Sequence, residues 1–127
     1  MKILVDTQIF LWAITGDTRL SKVHRGHYLD QSNDLYLSVA SVWEILIQSG
    51  LGKLPIPLPR VDYIARQMGL NRLSSLPIRL AHLTQLESLP NVHRDPFDRI
   101  LIAQARAEGM AILSADTLMR KYEVRVL

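Results

Sequence analysis

The sequence predicts an α/β domain, a parallel sheet with helices on both faces, and three observations predict it. Short, continuously apolar, β-branched runs alternate with longer stretches of helical periodicity along the whole chain. The first run, Lys2-Ile3-Leu4-Val5, has no polar alternation, as expected of a strand buried on both faces. Asp6 follows it directly, and acids recur after later strands, where right-handed crossovers gather all strand ends of one kind at one edge. The 127 residues, 48% hydrophobic and 21% charged, suit one domain spanning 1–127 with a sizeable core.

Taken in order, the first strand leads into a helix over Thr7 to Ile14. Residues 20–32 read as an amphipathic helix, on which His24 and His27 lack a third ligand at recognisable spacing and so read as surface residues rather than a zinc site. Leu35 to Leu37 is a second strand. Ser38 to Ser49 is a helix expected to stop at Gly50, a residue able to take the left-handed conformation. Gly50-Leu51-Gly52-Lys53-Leu54 is no phosphate loop, because the four-residue gap between glycines and the hydroxyl after the lysine are missing. Pro55, Pro57 and Pro59 alternate through an extended connector. Arg60 to Met68 is then a helix ending at Gly69, Arg72 to Leu76 a third strand, and 78–88 a helix whose Leu80, Leu83, Leu86 and Leu89 read as core. Asp95-Pro96 is the N-cap and first residue of a helix that turns almost wholly apolar. Ala111 to Ser114 and Val124 to Val126 are the fourth and fifth strands. No repeat or low-complexity tract interrupts the chain.

Composition excludes several classes. There are no cysteines, hence no disulfide framework and no thiolate metal site, which agrees with a reducing cytoplasm. Met1-Lys2 leads straight into the first strand rather than into a signal peptide, and no apolar run is long enough to span a bilayer. A net charge of +3 and a pI near 9.5 suit a polyanionic partner.

The acids carry the chemistry. Asp6, Glu44, Asp98 and Asp116 each lie just past a strand or early in a helix, so all four are able to face one crevice. Each also has a structural reading. Asp6, Asp95 and Asp98 sit where helix caps and first-turn acids sit, and Glu44 would close a capping box if its helix began at Ser41. If Ser38 is the cap instead, Glu44 has no capping role and needs a partner. Four carboxylates packed together would repel and raise their pKa values unless a cation neutralised them, and oxygen-only ligation selects Mg²⁺ or Mn²⁺. A basic protein with an acidic metal pocket is suited to attract and hydrolyse a phosphodiester.

In four segments the chain resembles a PIN-domain ribonuclease of the VapC toxin type: Ile3-Leu4-Val5-Asp6-Thr7, Ser38 to Ile45, His93-Arg94-Asp95-Pro96-Phe97-Asp98-Arg99, and Ser114-Ala115-Asp116. They fall in that family's order and spacing from end to end, with residues 55–90 matching loosely. The resemblance implies a three-layer α/β/α fold, with a five-stranded parallel sheet in order 3-2-1-4-5. It also implies a homodimer, Mg²⁺-dependent RNA cleavage leaving a 3′-hydroxyl and a 5′-phosphate, and inhibition by a small antitoxin encoded beside it. Carried over by position, Asp6, Glu44, Asp98 and Asp116 are the catalytic quartet. Asp6, Asp98 and Asp116 are then metal ligands, with Glu44 and Asp95 as further candidates. Arg94, Arg99, Lys53 and Arg19 are candidates for gripping the RNA backbone. Two other readings remain: a non-catalytic flavodoxin-like receiver or ligand-binding module, and a metal-dependent phosphatase. A receiver wants paired acids after its first strand, whereas Asp6 stands alone.

Overall fold

A computed structural model describes residues 1–127. The elements are β1 (Lys2–Val5), α1 (Thr7–Thr15), α2 (Lys22–Leu29), β2 (Asp34–Ser38), α3 (Val39–Gly50), α4 (Arg60–Leu70), β3 (Leu73–Leu76), α5 (Leu80–Glu87), α6 (Pro96–Glu108) and β4 (Ala111–Leu113), followed by a 3-10 turn over Thr117–Lys121. The strands form one parallel sheet in the order β3-β2-β1-β4.

Alternation along β1 shows how the layers form. Ile3 and Val5 enter one core with Ile9, Phe10, Leu37, Ile45 and Ile64, while Leu4, between them, enters a second core with Leu101, Ile102, Ile112 and Met119. Successive side chains on a strand point to opposite faces, so the sheet is covered on both sides: α1 and α4 pack on the first face and α6 on the second. Each fully buried Ile or Leu is worth about 1.5–3 kcal/mol, which makes β1 the best-anchored strand. The three-layer α/β/α architecture expected from the sequence follows directly.

The sheet has four strands rather than five. Val126 makes only an isolated parallel bridge to Ile112, with the Ile112 amide donating to Arg125 O and the Leu127 amide to Ile112 O. The closing segment lies beside β4, as the order 3-2-1-4-5 requires, but β4 is three residues long and offers it one pairing position. Other differences are local. Gly50 stays helical; the left-handed residue that reverses the chain is Gly52, at φ 77°. Gly69 likewise remains in α4, and the reversal falls on Arg72, at φ 59°. On α5, Leu89 beyond its end is buried, but Leu80 is 82% exposed and Leu83 also faces solvent, because the side of α5 turned to α6 presents the buried His82 instead. His82 accepts from the Arg79 amide at Nδ1 and meets Glu108 Oε1 at 2.9 Å from Nε2, tying α5 to α6. His24 and His27 lie half-buried on α2, with His24 against its own cap, Ser21. No helix is long and apolar enough to cross a membrane.

Candidate active site

Four segments reach the carboxyl edge of the sheet, and each delivers an acid there. Asp6 leaves β1 in extended conformation and stands at the N-cap position of α1, yet its side chain makes no capping hydrogen bond. It is 6% exposed and accepts from Ser114 Oγ at 2.7 Å, across 108 residues of sequence. Burial pushes its carboxyl above the ordinary range, Ser114 offsets part of this, and Asp116 and Asp95 add repulsion.

Ser38 caps α3 by accepting from the Ala40 amide at 3.1 Å, so the helix starts too early for a capping box at Ser41. Ser41 instead accepts from Thr7 Oγ1 at 2.8 Å, pinning α3 to α1. Glu44 is thereby left without a capping role. It is half-buried rather than enclosed, because α3 exposes an apolar stripe of Val39, Trp43 and Ile47, and burial still raises its carboxyl.

Asp95 caps α6, accepting from the Phe97 amide at 2.9 Å; Asp116 caps the 3-10 turn, accepting from the Leu118 amide at 2.9 Å. Asp98, in the first turn of α6, is strongly perturbed. Its carboxyl is pushed up to about 8, first by burial and then by the charges of Asp6 and Asp95, against the opposing pull of His93. Asp6, Glu44, Asp95, Asp98 and Asp116 all line one cleft of about 420 Å³, with Trp12 and Gln48 on its walls. The structure thus brings together every acid singled out in the sequence.

The basic candidates divide. Arg94 and Lys53 are exposed, and Arg94 borders a second depression that shares Glu44, Gln48 and Asp95 with the cleft. Arg19 pairs with Asp17 at 2.7 Å and sits 5.4 Å over the ring of Trp12. Arg99 does not face the cleft with free donors. Its Nη1 donates to Pro90 O at 2.9 Å and to Tyr122 Oη at 3.4 Å, and its Nη2 to Leu89 O at 3.5 Å, so its charge is committed to holding the segment before α6.

Three contributors escaped the sequence reading: Ser114 as the partner of Asp6, Trp12 as a wall, and His93. The His93 Nε2 lies 2.6 Å from Asp116 Oδ2 and 3.2 Å from Asp98 Oδ2. Burial disfavours its charge, yet the Asp116 hydrogen bond and the charges of Asp98, Asp116 and Asp95 together raise its pKa. The signal available in the sequence was position alone, with Ser114 at the end of β4 and His93 two residues before a capping aspartate.

A parallel α/β sheet with five carboxylates in one cleft at its carboxyl edge defines an acidic-site α/β domain. The PIN domain family model matches residues 3–124, and the chain belongs to that family. Among curated relatives, Ribonuclease VapC16 from Mycobacterium tuberculosis is 43% identical over 53 residues, which is 42% of this chain and 38% of that protein. Among solved structures, VapBC2 from Rickettsia felis, bound to a DNA fragment from its promoter, has a TM-score of 0.76 at 15% identity, covering 100% of this chain and 98% of that one. A toxin-antitoxin complex from Klebsiella pneumoniae has a TM-score of 0.65 at 13% identity, covering 98% and 95%.

Proposed function

We propose that this chain is a metal-dependent endoribonuclease, the toxin of a toxin–antitoxin pair, and that it hydrolyses RNA phosphodiester bonds at the carboxylate cleft. One observation carries the reading: five carboxylates line a single cleft whose Asp98 is pushed up to about 8 by burial and by its acidic neighbours. A bound cation would relieve that repulsion, and an oxygen-rich donor set fits Mg²⁺, with Mn²⁺ as substitute. Asp6, Asp98 and Asp116 would hold it, with Glu44 and Asp95 as further oxygen donors. When bound, such an ion supplies a water of lowered pKa and offsets charge on the leaving oxygen.

The remaining work belongs to the chain. Ser114 orients Asp6, the Thr7–Ser41 pair sets α3 against α1 and so places Glu44, and Asp95 spends one oxygen on the Phe97 amide while its second stays free. Arg94, Lys53 and Arg19 would hold the RNA backbone near the cleft. The exposed stripe of Val39, Trp43 and Ile47 beside Glu44 supports a protein partner. By extension from the toxin-antitoxin complex among the structural neighbours, we take one partner to be a small antitoxin; that the chain works as a homodimer in the cytoplasm is a further part of the proposal, carried over from the family resemblance.

Sequencing RNA 5′ ends after a short pulse of expression, beside an Asp6→Asn control, tests the reading. Discrete new ends seen only with the wild-type chain are expected. Their absence, or hydrolysis of a small phosphomonoester by the purified protein in place of RNA, would contradict it.

A further inference from the structure

His93 is absorbed by none of the roles above, although its ring sits between two of the acids. Its side chain is 10% exposed, and its Nε2 reaches Asp116 Oδ2 at 2.6 Å and Asp98 Oδ2 at 3.2 Å. These three atoms lie within 4.8 Å of one another, so distance alone would admit a histidine–carboxylate ligand set. The other ring nitrogen decides otherwise. The Asp95 amide donates to Nδ1 at 3.2 Å, which leaves the ring proton on Nε2, the atom that faces the carboxylates. A ligating Nε2 would need its lone pair free, hence a proton on Nδ1 pointing at an amide hydrogen. The backbone fixes the ring in this pose: the His93 amide donates to Tyr122 Oη at 2.7 Å, and Arg99 braces the same tyrosine at 3.4 Å.

We propose that His93 is the positioning residue of the acidic site, donating from Nε2 to Asp116 and standing against Asp98, so that both carboxylates are held for a divalent cation that His93 does not itself coordinate. A carboxylate oxygen has two lone pairs, so accepting from His93 leaves one for the ion. The geometry also joins the two halves of the cleft: Asp98 belongs to α6 and Asp116 to the turn after β4, and the imidazole spans them. Partners of this kind behind a metal ligand are worth about 10–100-fold in metal affinity.

The inference rests on the proposed metal site, and the test separates the two. In the full chain labelled with ¹⁵N-histidine, long-range ¹H–¹⁵N spectra would be recorded in chelator and again with saturating Mg²⁺, while calorimetry follows Mg²⁺ binding to wild type, His93→Ala and His93→Gln. The expected result is an Nε2–H tautomer in both states. His93→Ala should bind Mg²⁺ about 10–100-fold more weakly, and His93→Gln, whose amide N–H extends a similar distance, should recover most of the loss. Transfer of the proton to Nδ1 on adding Mg²⁺ would make His93 a ligand and overturn the proposal, as would equal or tighter binding by His93→Ala. If His93→Ala fails to fold, the wild-type spectra still decide. A wild-type protein that binds no Mg²⁺ removes the metal-site reading itself, a different and separately visible failure.

Discussion

Two helices, α1 and α6, each begin at the cleft with an aspartate in the N-cap position, and the two aspartates do different work. Asp95 accepts from the Phe97 amide of its own helix. Asp6, in a similar backbone conformation, caps nothing by hydrogen bond; it is buried and bound to Ser114, at the far end of the chain. Residue type and local position are therefore insufficient to separate a cap from a ligand. At these two positions the difference is where the partner comes from: Asp95 spends an oxygen on an amide of its own helix, whereas Asp6, held by a hydroxyl from another strand end, stays buried with its charged form disfavoured until a cation is present.

The largest effect that would break this contrast is on activity. Asp6→Asn should abolish Mg²⁺-dependent RNA cleavage, by about a thousandfold or more if the ion supplies several kcal/mol at the transition state. A gel-based cleavage assay checks it, with circular dichroism confirming that the fold is kept. Full activity in that variant would remove Asp6 from the metal site. Ser114→Ala sharpens the same comparison from the other side. It removes the cross-strand partner while keeping the acid, and should weaken Mg²⁺ binding about 10–100-fold by calorimetry.

This contrast also explains how much was legible in the sequence. The order of β1, α1, β2 and α3 is plain from continuous apolar runs and helical periodicity, and the acids announce themselves by lying at strand ends. What the sequence could not reveal is pairing across distance. Ser114 and Asp6 are 108 residues apart, and nothing local marks their hydrogen bond. His93 lay inside the most informative segment, yet its role depends on a ring orientation set by the Asp95 amide and Tyr122. Glu44 was ambiguous until the cap at Ser38 excluded one at Ser41. Leu80 and Leu83 of α5 show the opposite failure: the periodicity was correctly seen, and Leu86 and Leu89 do pack on the core, but a buried His82 takes the inner face where those two were expected.

A smaller effect concerns pH in the metal-free protein. Asp98 is pushed up to about 8 when folded, against an ordinary value near ~4, so between those values the folded chain holds a proton that the unfolded chain has released. Stability from this source is fully present at low pH and falls as pH rises toward 8. The raised carboxyls of Asp6 and Glu44 act in the same direction. In chelator, melting should therefore be higher at pH 5 than at pH 8, and Asp98→Asn should flatten the difference. A melting temperature that rises over this interval would contradict the repulsion assigned to the cleft.

The central claim is that Asp6, Asp98 and Asp116 hold one cation to which Asp95, the cap of α6, adds little, and metal-dependent melting tests it most directly. Binding only to the folded state, Mg²⁺ at a hundredfold excess over its dissociation constant should add about 2.7 kcal/mol, a rise of several degrees in a domain of this size. Monovalent salt at matched ionic strength should do much less. Asp6→Asn and Asp98→Asn should be at least as stable as wild type without metal and should lose most of the increment. Asp95→Asn, which can still cap α6, should keep most of it. Equal Mg²⁺ responses in wild type, Asp6→Asn and Asp98→Asn would contradict the account.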